Sequence, residues 1–374
     1  MTITKRKVEA GPSVERERWE ILDAQGGVVT GATFCSTDTR FCDSWIRTLQ
    51  IGGVSTQPVH RRAGHVRELF VQAFREARDY GWAVSHLHPF SFAYYRKFGY
   101  ERICDHLIVD FPVEKLDFVP RGAAGFEEAK TEAQFDEARA VYNAFSAGRM
   151  AMPRRVNLEC FPVGKPENGV MFLHRNGRGE ADAYITFTVR KEFCVNRLCN
   201  GVLTVKEFAY ENPDGMRAVL GFLRMYEGEV ERIHFENLAM TPEIDFALRH
   251  YMHTAYQIVP DIMARILDPE ALLRANAYPR AAGSFALRVT DPFDVAAGAW
   301  RVRYGDGEAS VERLDDGAAC DIVCDVRALA PLMYGAYELD ARLLGYMDGV
   351  RVDGDPEDFL RAFPKRPRGV FEHF

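Results

Sequence analysis

The chain has 374 residues, 47% of them hydrophobic and 27% charged, with a formal net charge of −7. That length exceeds one comfortable core and predicts two or three domains, and the composition is that of a folded globular protein rather than a disordered one. The negative balance counts against a nucleic-acid partner, which needs a broad basic face, and is compatible with cationic, amine-bearing substrates. No apolar run approaches bilayer length and no secretory signal follows Met1, so a cytoplasmic protein without membrane contact is expected. The cysteines, Cys35, Cys42, Cys104, Cys160, Cys194, Cys199, Cys320 and Cys324, are scattered, with no C-x-x-C and no histidines at zinc-ligand spacing. They read as reduced, idle thiols, and no metal is expected.

In chain order, residues 5–18 read as a polar tail. Residues 19–24 predict a strand, Gln25-Gly26-Gly27 a hairpin turn, and residues 28–35 its partner. A further strand is predicted over 46–56, in which Gly52-Gly53 mark a bulge or splay. Pro58 turns the chain, and Arg61-Arg62-Ala63-Gly64 lead into Val66, Leu69, Phe70, Ala73, Phe74 and Ala77, spaced as one face of a helix over 65–80 that Gly81 stops. A strand, a basic turn with a glycine and a helix start together make an anion site. The first-turn N–H groups are unpaired, the helix dipole favours negative charge, and arginines add charge-assisted contacts to phosphate. Residues 83–88 supply a strand, residues 91–100 a short helix closed by Gly99, and residues 103–112 another strand. Phe98 and Tyr100 read as packing aromatics. His86 and His88 read as satisfied or solvent-facing histidines rather than bases.

Arg61-Arg62-Ala63-Gly64-His65-Val66 resembles the R-x-x-G-x-[GA] pyrophosphate loop of the GNAT N-acetyltransferases, with Val66 where a small residue is commoner. Tyr95-Arg96-Lys97-Phe98-Gly99-Tyr100 is similar to that family's [FY]-Y-x-[KR]-x-G-[FY] signature, one strand further on. Together with Val54, Thr56, Pro58 and His60, the pair resembles the Eis (enhanced intracellular survival) branch. The resemblance implies acetyl-CoA as co-substrate, a primary amine of aminoglycoside, lysine or polyamine type as acceptor, and a hexamer of two trimers. It assigns the pyrophosphate to Arg61, Arg62, Ala63, Gly64, His65, Val66 and Arg67, and the pantetheine arm to Val54, Ser55 and Thr56, with Phe90 and Ser91 beside it. Tyr95 would be the general acid and the α-carboxylate of Phe374 the base. His373 separates Glu372 from the terminal aromatic, which departs from the branch's aromatic–Glu–aromatic ending. Only 53 residues precede Val54, fewer than the strand and two helices with which the family opens. An acceptor pocket with an open front, or a start lying further upstream, is therefore expected.

The expected fold is α/β (α+β): two tandem GNAT-like mixed-sheet domains, the second degenerate, and a sterol-carrier-protein-like domain, over 1–116, 117–262 and 263–374. In the second, a helix is predicted over 126–145, strands over 169–174, 181–189 and 201–210, and a helix from Pro213 through Tyr226. The strand–turn–helix echoes the first domain, but Glu211 and Asp214 stand where a phosphate needs cations, so this copy would not hold CoA. In the third, helices are predicted over 269–276, 327–334, 340–348 and 356–362, strands over 284–289, 299–304, 309–314 and 320–326, with a hairpin turn at Gly305-Asp306-Gly307. The alternative function is a non-catalytic acyl-CoA-binding protein with an incomplete acceptor pocket; a lipid carrier led by the third domain is a further one.

Overall fold

The computed structural model of the chain describes residues 3–8, 15–156, 169–190, 193–194, 197–198 and 201–372. Phe374 and His373 lie outside the described residues, so the expectation for the terminal carboxylate does too. Two seven-stranded sheets and one five-stranded sheet organise the described chain.

The first sheet runs, in space, Ile3–Lys7, Glu15–Leu22, Val28–Phe41, Ser44–Thr56, Val84–Leu87, Met263–Ile266 and Glu101–Arg102. The residues expected to be a polar tail thus include two strands. Ile3–Lys7 is an edge strand with four of its five residues exposed, so its charged side chains carry no hydrophobic alternation to read. Val28–Phe41 and Ser44–Thr56 form one long hairpin turning at Cys42, which holds φ +53° without a glycine. The helix His65–Arg75 buries Val66, Leu69, Phe70, Ala73 and Phe74 on one face of this sheet, as its spacing dictates. The other face, with Val84, Ala264 and Ile266, packs against Leu329, Met333 and Tyr334 of the third domain.

The second sheet runs Ala255–Pro260, Asp105–Pro112, Arg232–Leu238, Val202–Tyr210, Ala181–Arg190, Val170–Arg175 and Phe126–Glu128. The helix expected over 126–145 is a short strand followed by the helix Glu132–Phe145. Thr131 and Gln134 close its start as a reciprocal capping box, and Phe126–Glu128 pairs with Val170–Arg175. The sheets also cross the expected chain divisions. Asp105–Pro112 pairs within the second sheet, and Met263–Ile266 returns to the first, between Val84–Leu87 and Glu101–Arg102. The divisions at 116/117 and 262/263 stay proposals, with one strand on the far side of each.

Arg265, on the returning strand, ties the first and third domains together. Its fully buried guanidinium pairs with Asp291 Oδ2 at 2.6 Å, donates to the Phe98 carbonyl at 2.8 Å and lies over the Phe74 ring at 4.5 Å. Gly99 makes this possible: it holds φ +85°, and a Cβ there would stand 1.8 Å from Arg265 Nη1. The motif glycine therefore clears space for a cation as well as closing a helix. Arg265→Met should cost about 3–5 kcal/mol in denaturant unfolding, because it leaves Asp291 buried and unpaired.

Candidate active site

Ser44–Thr56 and Val84–Leu87 are parallel neighbours, paired from Thr48/Val84 to Ile51/Leu87 and no further. Beyond that point Ser44–Thr56 runs on, steered by a bulge. Gly53 and Val54 have no ladder partner on Val28–Phe41, whose register shifts between Gly31 and Thr33. Gly53 holds φ +56°, and Arg18 fixes it by donating to its carbonyl at 2.7 Å and to Ser55 Oγ at 3.1 Å. Thr30 Oγ1 donates to the Ser55 carbonyl at 2.8 Å and lies 2.8 Å from Thr56 Oγ1. The side chains of Ser55 and Thr56 are thus engaged away from the opening. The edge of Val54, Ser55 and Thr56 on the Val84–Leu87 side carries backbone groups without a strand partner.

At the far end of this strand the chain turns through Pro58–His60 into the basic loop. Arg61, Arg62, Ala63 and Gly64 are all exposed. Arg62 holds φ +66° and Gly64 φ +87°, so left-handed residues on either side of Ala63 aim the backbone into the helix start. Gly64 is the N-cap and no side chain caps the helix, which leaves first-turn N–H groups at His65, Val66 and Arg67 available to an anion. Val66 is buried against the sheet and can offer only its backbone. The Arg67 guanidinium lies over the Phe293 ring at 5.1 Å. Arg61 and Arg62 form no ion pair among the described residues. Unpaired N–H donors and two arginines thus converge at this turn, with no acid ion-paired to either arginine among the described residues.

Tyr95 sits on the short helix Phe92–Arg96, 3% exposed, between Phe70 and Phe90. Burial first, and Tyr94 beside it, push its hydroxyl up to about 12. It makes no hydrogen bond to the described residues and stays protonated at neutral pH. The Ser91 hydroxyl is occupied as the cap of this helix, accepting from Tyr94 N at 3.3 Å. Phe90 is 74% exposed.

His86 is fully buried, its Nε2 is 2.9 Å from the Tyr334 hydroxyl, and burial, with His88 adding, pushes it down to about 3. It is a neutral structural group. His88 is a satisfied histidine rather than a solvent-facing one. Its Nδ1 meets Asp261 Oδ1 at 2.7 Å and its Nε2 meets the Glu372 carbonyl at 3.0 Å. The carbonyl can only accept, so the Nε2 carries a proton. His106 Nδ1 reaches the other Asp261 oxygen at 3.4 Å. Burial would raise the Asp261 carboxyl, but hydrogen bonds from His106 and His88 outweigh it and hold the group below the ordinary range. The described end of the chain therefore lies against the residue that follows Val84–Leu87, at the edge of the opening. Asp261, His106 and Arg155 (below) escaped the sequence reading. Asp261 stands in an irregular joint between two unpredicted strands, and nothing in its neighbours marks it.

Family models match the chain in three places: an acetyltransferase (GNAT) domain over residues 4–103, a second acetyltransferase (GNAT) domain over 159–266, and a sterol carrier protein domain over 269–368. The chain is a GNAT-type N-acetyltransferase built from two such domains and a sterol-carrier-protein-like one. Its fold is Eis-like. Eis1 from Mycobacterium abscessus superposes with a TM-score of 0.80 at 17% identity, over 96% of this chain and 90% of that one. A GCN5-related N-acetyltransferase from Anabaena variabilis gives 0.81 at 15%, over 96% and 89%. A probable N-acyltransferase from Enterococcus faecalis gives 0.78 at 17%, over 96% and 89%. At these identities the likeness is one of fold. No curated protein matches significantly.

Because the Asp261 carboxyl is depressed in the fold, its contribution to stability is full above its ordinary value of 3.8 and is lost as pH falls below it. Asp261→Asn should lose about 2 kcal/mol at pH 7 and show a shallower acid limb than the parent, in denaturant unfolding followed from pH 7 to about 3.

Proposed function

We propose that the chain transfers the acetyl group of acetyl-CoA to a primary amine of aminoglycoside, lysine or polyamine type. The observation that carries this reading is the parting of Ser44–Thr56 from Val84–Leu87, with an uncapped, arginine-flanked helix start beyond it. An extended thioester arm fits along an unpaired strand edge, and its diphosphate fits the turn. Arg61 and Arg62 neutralise the phosphates, and N–H groups from Gly64 to Arg67 donate to them. The opening strand edge leaves backbone donors for the thioester carbonyl as charge develops on it.

The free amine attacks the carbonyl carbon, and the tetrahedral adduct collapses with loss of the C–S bond. Tyr95 gives its proton to the departing thiolate, and the Phe374 α-carboxylate takes the proton that the attacking nitrogen sheds. Solvent returns the proton from carboxylate to tyrosinate between turnovers. Support for Phe374 comes from the Glu372 carbonyl, which is bonded to His88 and stands two residues before Phe374, and two residues can reach at most about 7 Å. The proposed setting is the cytoplasm, and the proposed assembly is a hexamer of two trimers.

A second reading, acyl-CoA binding without turnover, is favoured by one observation. Only residues 8–14 separate Ile3–Lys7 from Glu15–Leu22, too few for the two helices that wall the acceptor pocket in the family. Thiol release from acetyl-CoA, measured with polyamines, aminoglycosides and a lysine peptide, decides between the two: amine-dependent release is expected, and CoA binding without release on any amine would favour the second. Tyr95→Phe should lower kcat by roughly 10²-fold or more with KM for acetyl-CoA unchanged. An unchanged kcat would remove Tyr95 as the acid.

A further inference from the structure

The second sheet repeats the parting of the first. Val202–Tyr210 and Arg232–Leu238 pair in parallel from Val202/Arg232 to Val205/Phe235 and then separate. The helix beyond, Pro213–Leu223, is closed to anions: Asn212 accepts from Asp214 N at 3.0 Å and from Gly215 N at 2.9 Å. This gap has a different occupant.

The C-terminal segment lies across it. Met150 N donates to the Pro367 carbonyl at 2.8 Å, Met240 N to Arg368 O at 3.0 Å, and Gly369 N to Met150 O at 3.2 Å. Gly369 passes so close that a Cβ would stand 2.6 Å from Ala239 Cβ. Asn237, past the parting on Arg232–Leu238, donates to the Val370 carbonyl at 3.3 Å. Phe371 stacks on Phe145 at 5.9 Å. Glu372 then reaches the opposite strand through Arg155. The Arg155 guanidinium, 2% exposed, donates to both Glu207 oxygens at 2.6 and 2.7 Å and through Nε to Glu372 Oε1 at 2.7 Å. Tyr142 donates to Glu372 Oε2 at 3.1 Å.

The two-pronged contact with Glu207, on Val202–Tyr210 past the parting, fixes the guanidinium plane against a strand, so the third donor points in one direction. Burial raises the Glu372 carboxyl, with Arg155 opposing and Glu207 adding. The same residue presents its carbonyl to His88. Glu372 thus has its side chain in the second opening and its backbone at the edge of the first.

We propose that the second GNAT-like domain has exchanged a CoA seat for a seat for the chain's own terminus, and that Arg155 is the positioning residue that sets where the last residues meet the thioester. This rests on the reading of the Phe374 carboxylate as base. Arg155 and Glu372 hold the C-terminal segment and, among the described residues, make no contact with the turn at 61–64, so their loss is expected to move kcat and not the binding of acetyl-CoA.

The test is steady-state kinetics on the full chain with Glu372→Gln, which keeps size and a polar tip but removes the charge, and with Arg155→Lys, which keeps charge but not the fork. Each should lower kcat at least about tenfold, since a misplacement near 1 Å can cost roughly 10²-fold, with KM for acetyl-CoA unchanged. The double variant should lose no more than the worse single, because both act through one contact. A purely structural role predicts a lowered Tm with normal kcat per folded molecule, and that result overturns the proposal. A chain ending at Glu372 separates the two readings. If it turns over normally, the carboxylate base fails and the positioning role with it. If it is inactive while Glu372→Gln and Arg155→Lys turn over normally, the positioning role alone fails. Should Arg155→Lys not fold, Glu372→Gln decides.

Discussion

Two parallel strands that stop pairing before one of them ends impose the constraint around which this molecule is arranged. An unpaired strand edge inside a protein is costly unless something supplies its hydrogen bonds. In the first domain Arg18 and Thr30 satisfy one side of Ser44–Thr56, and the other has no strand partner beyond Ile51. The basic turn lies at one end of that edge, and the Tyr95 helix follows the strand that stops short. In the second domain the same opening is met by the protein itself. One fold, used twice, thus supplies two openings, and Glu372 reaches both.

The third domain acts on this arrangement from behind. Its helix Val326–Met333 covers the face of the first sheet that His65–Arg75 does not, and Tyr334 takes the hydrogen bond of His86 on Val84–Leu87. Asp291 holds Arg265, and Arg265 holds the carbonyl of Phe98 at the end of the Tyr95 helix. Phe285, Phe359 and Phe363 pack against one another within the domain. Through its contacts with His86 and Arg265 the third domain braces the strand Val84–Leu87 and the helix that carries Tyr95.

How much of this could be read beforehand follows from where glycine and periodicity carried information. Gly53 and Gly64 stand where positive φ is required, so the bulge and the helix start were legible. The helical spacing from Val66 to Ala77 gave the core face of the first helix, although a non-helical residue, Glu76, divides it. Met263–Ile266 was hidden because all its residues are buried, which erases alternation, and because it carries an arginine. Arg155 follows Arg154 with no local pattern to tell the two apart, and only the fold reveals that Arg155 is buried and Arg154 is not. The pairing of distant strands across the expected divisions leaves no local trace, since register is set by partners that the local pattern does not name.

The account's central claim is that the chemistry in the first opening depends on a charge carried to it by the chain's end. A semisynthetic chain identical in every residue but ending in a carboxamide isolates that charge, since folding, tail seating and the CoA turn are all kept. Single-turnover acetyl transfer to an amine that the parent accepts should fall by roughly 10²-fold or more at neutral pH, with CoA affinity unchanged. Transfer at the parent rate by the carboxamide would contradict the account.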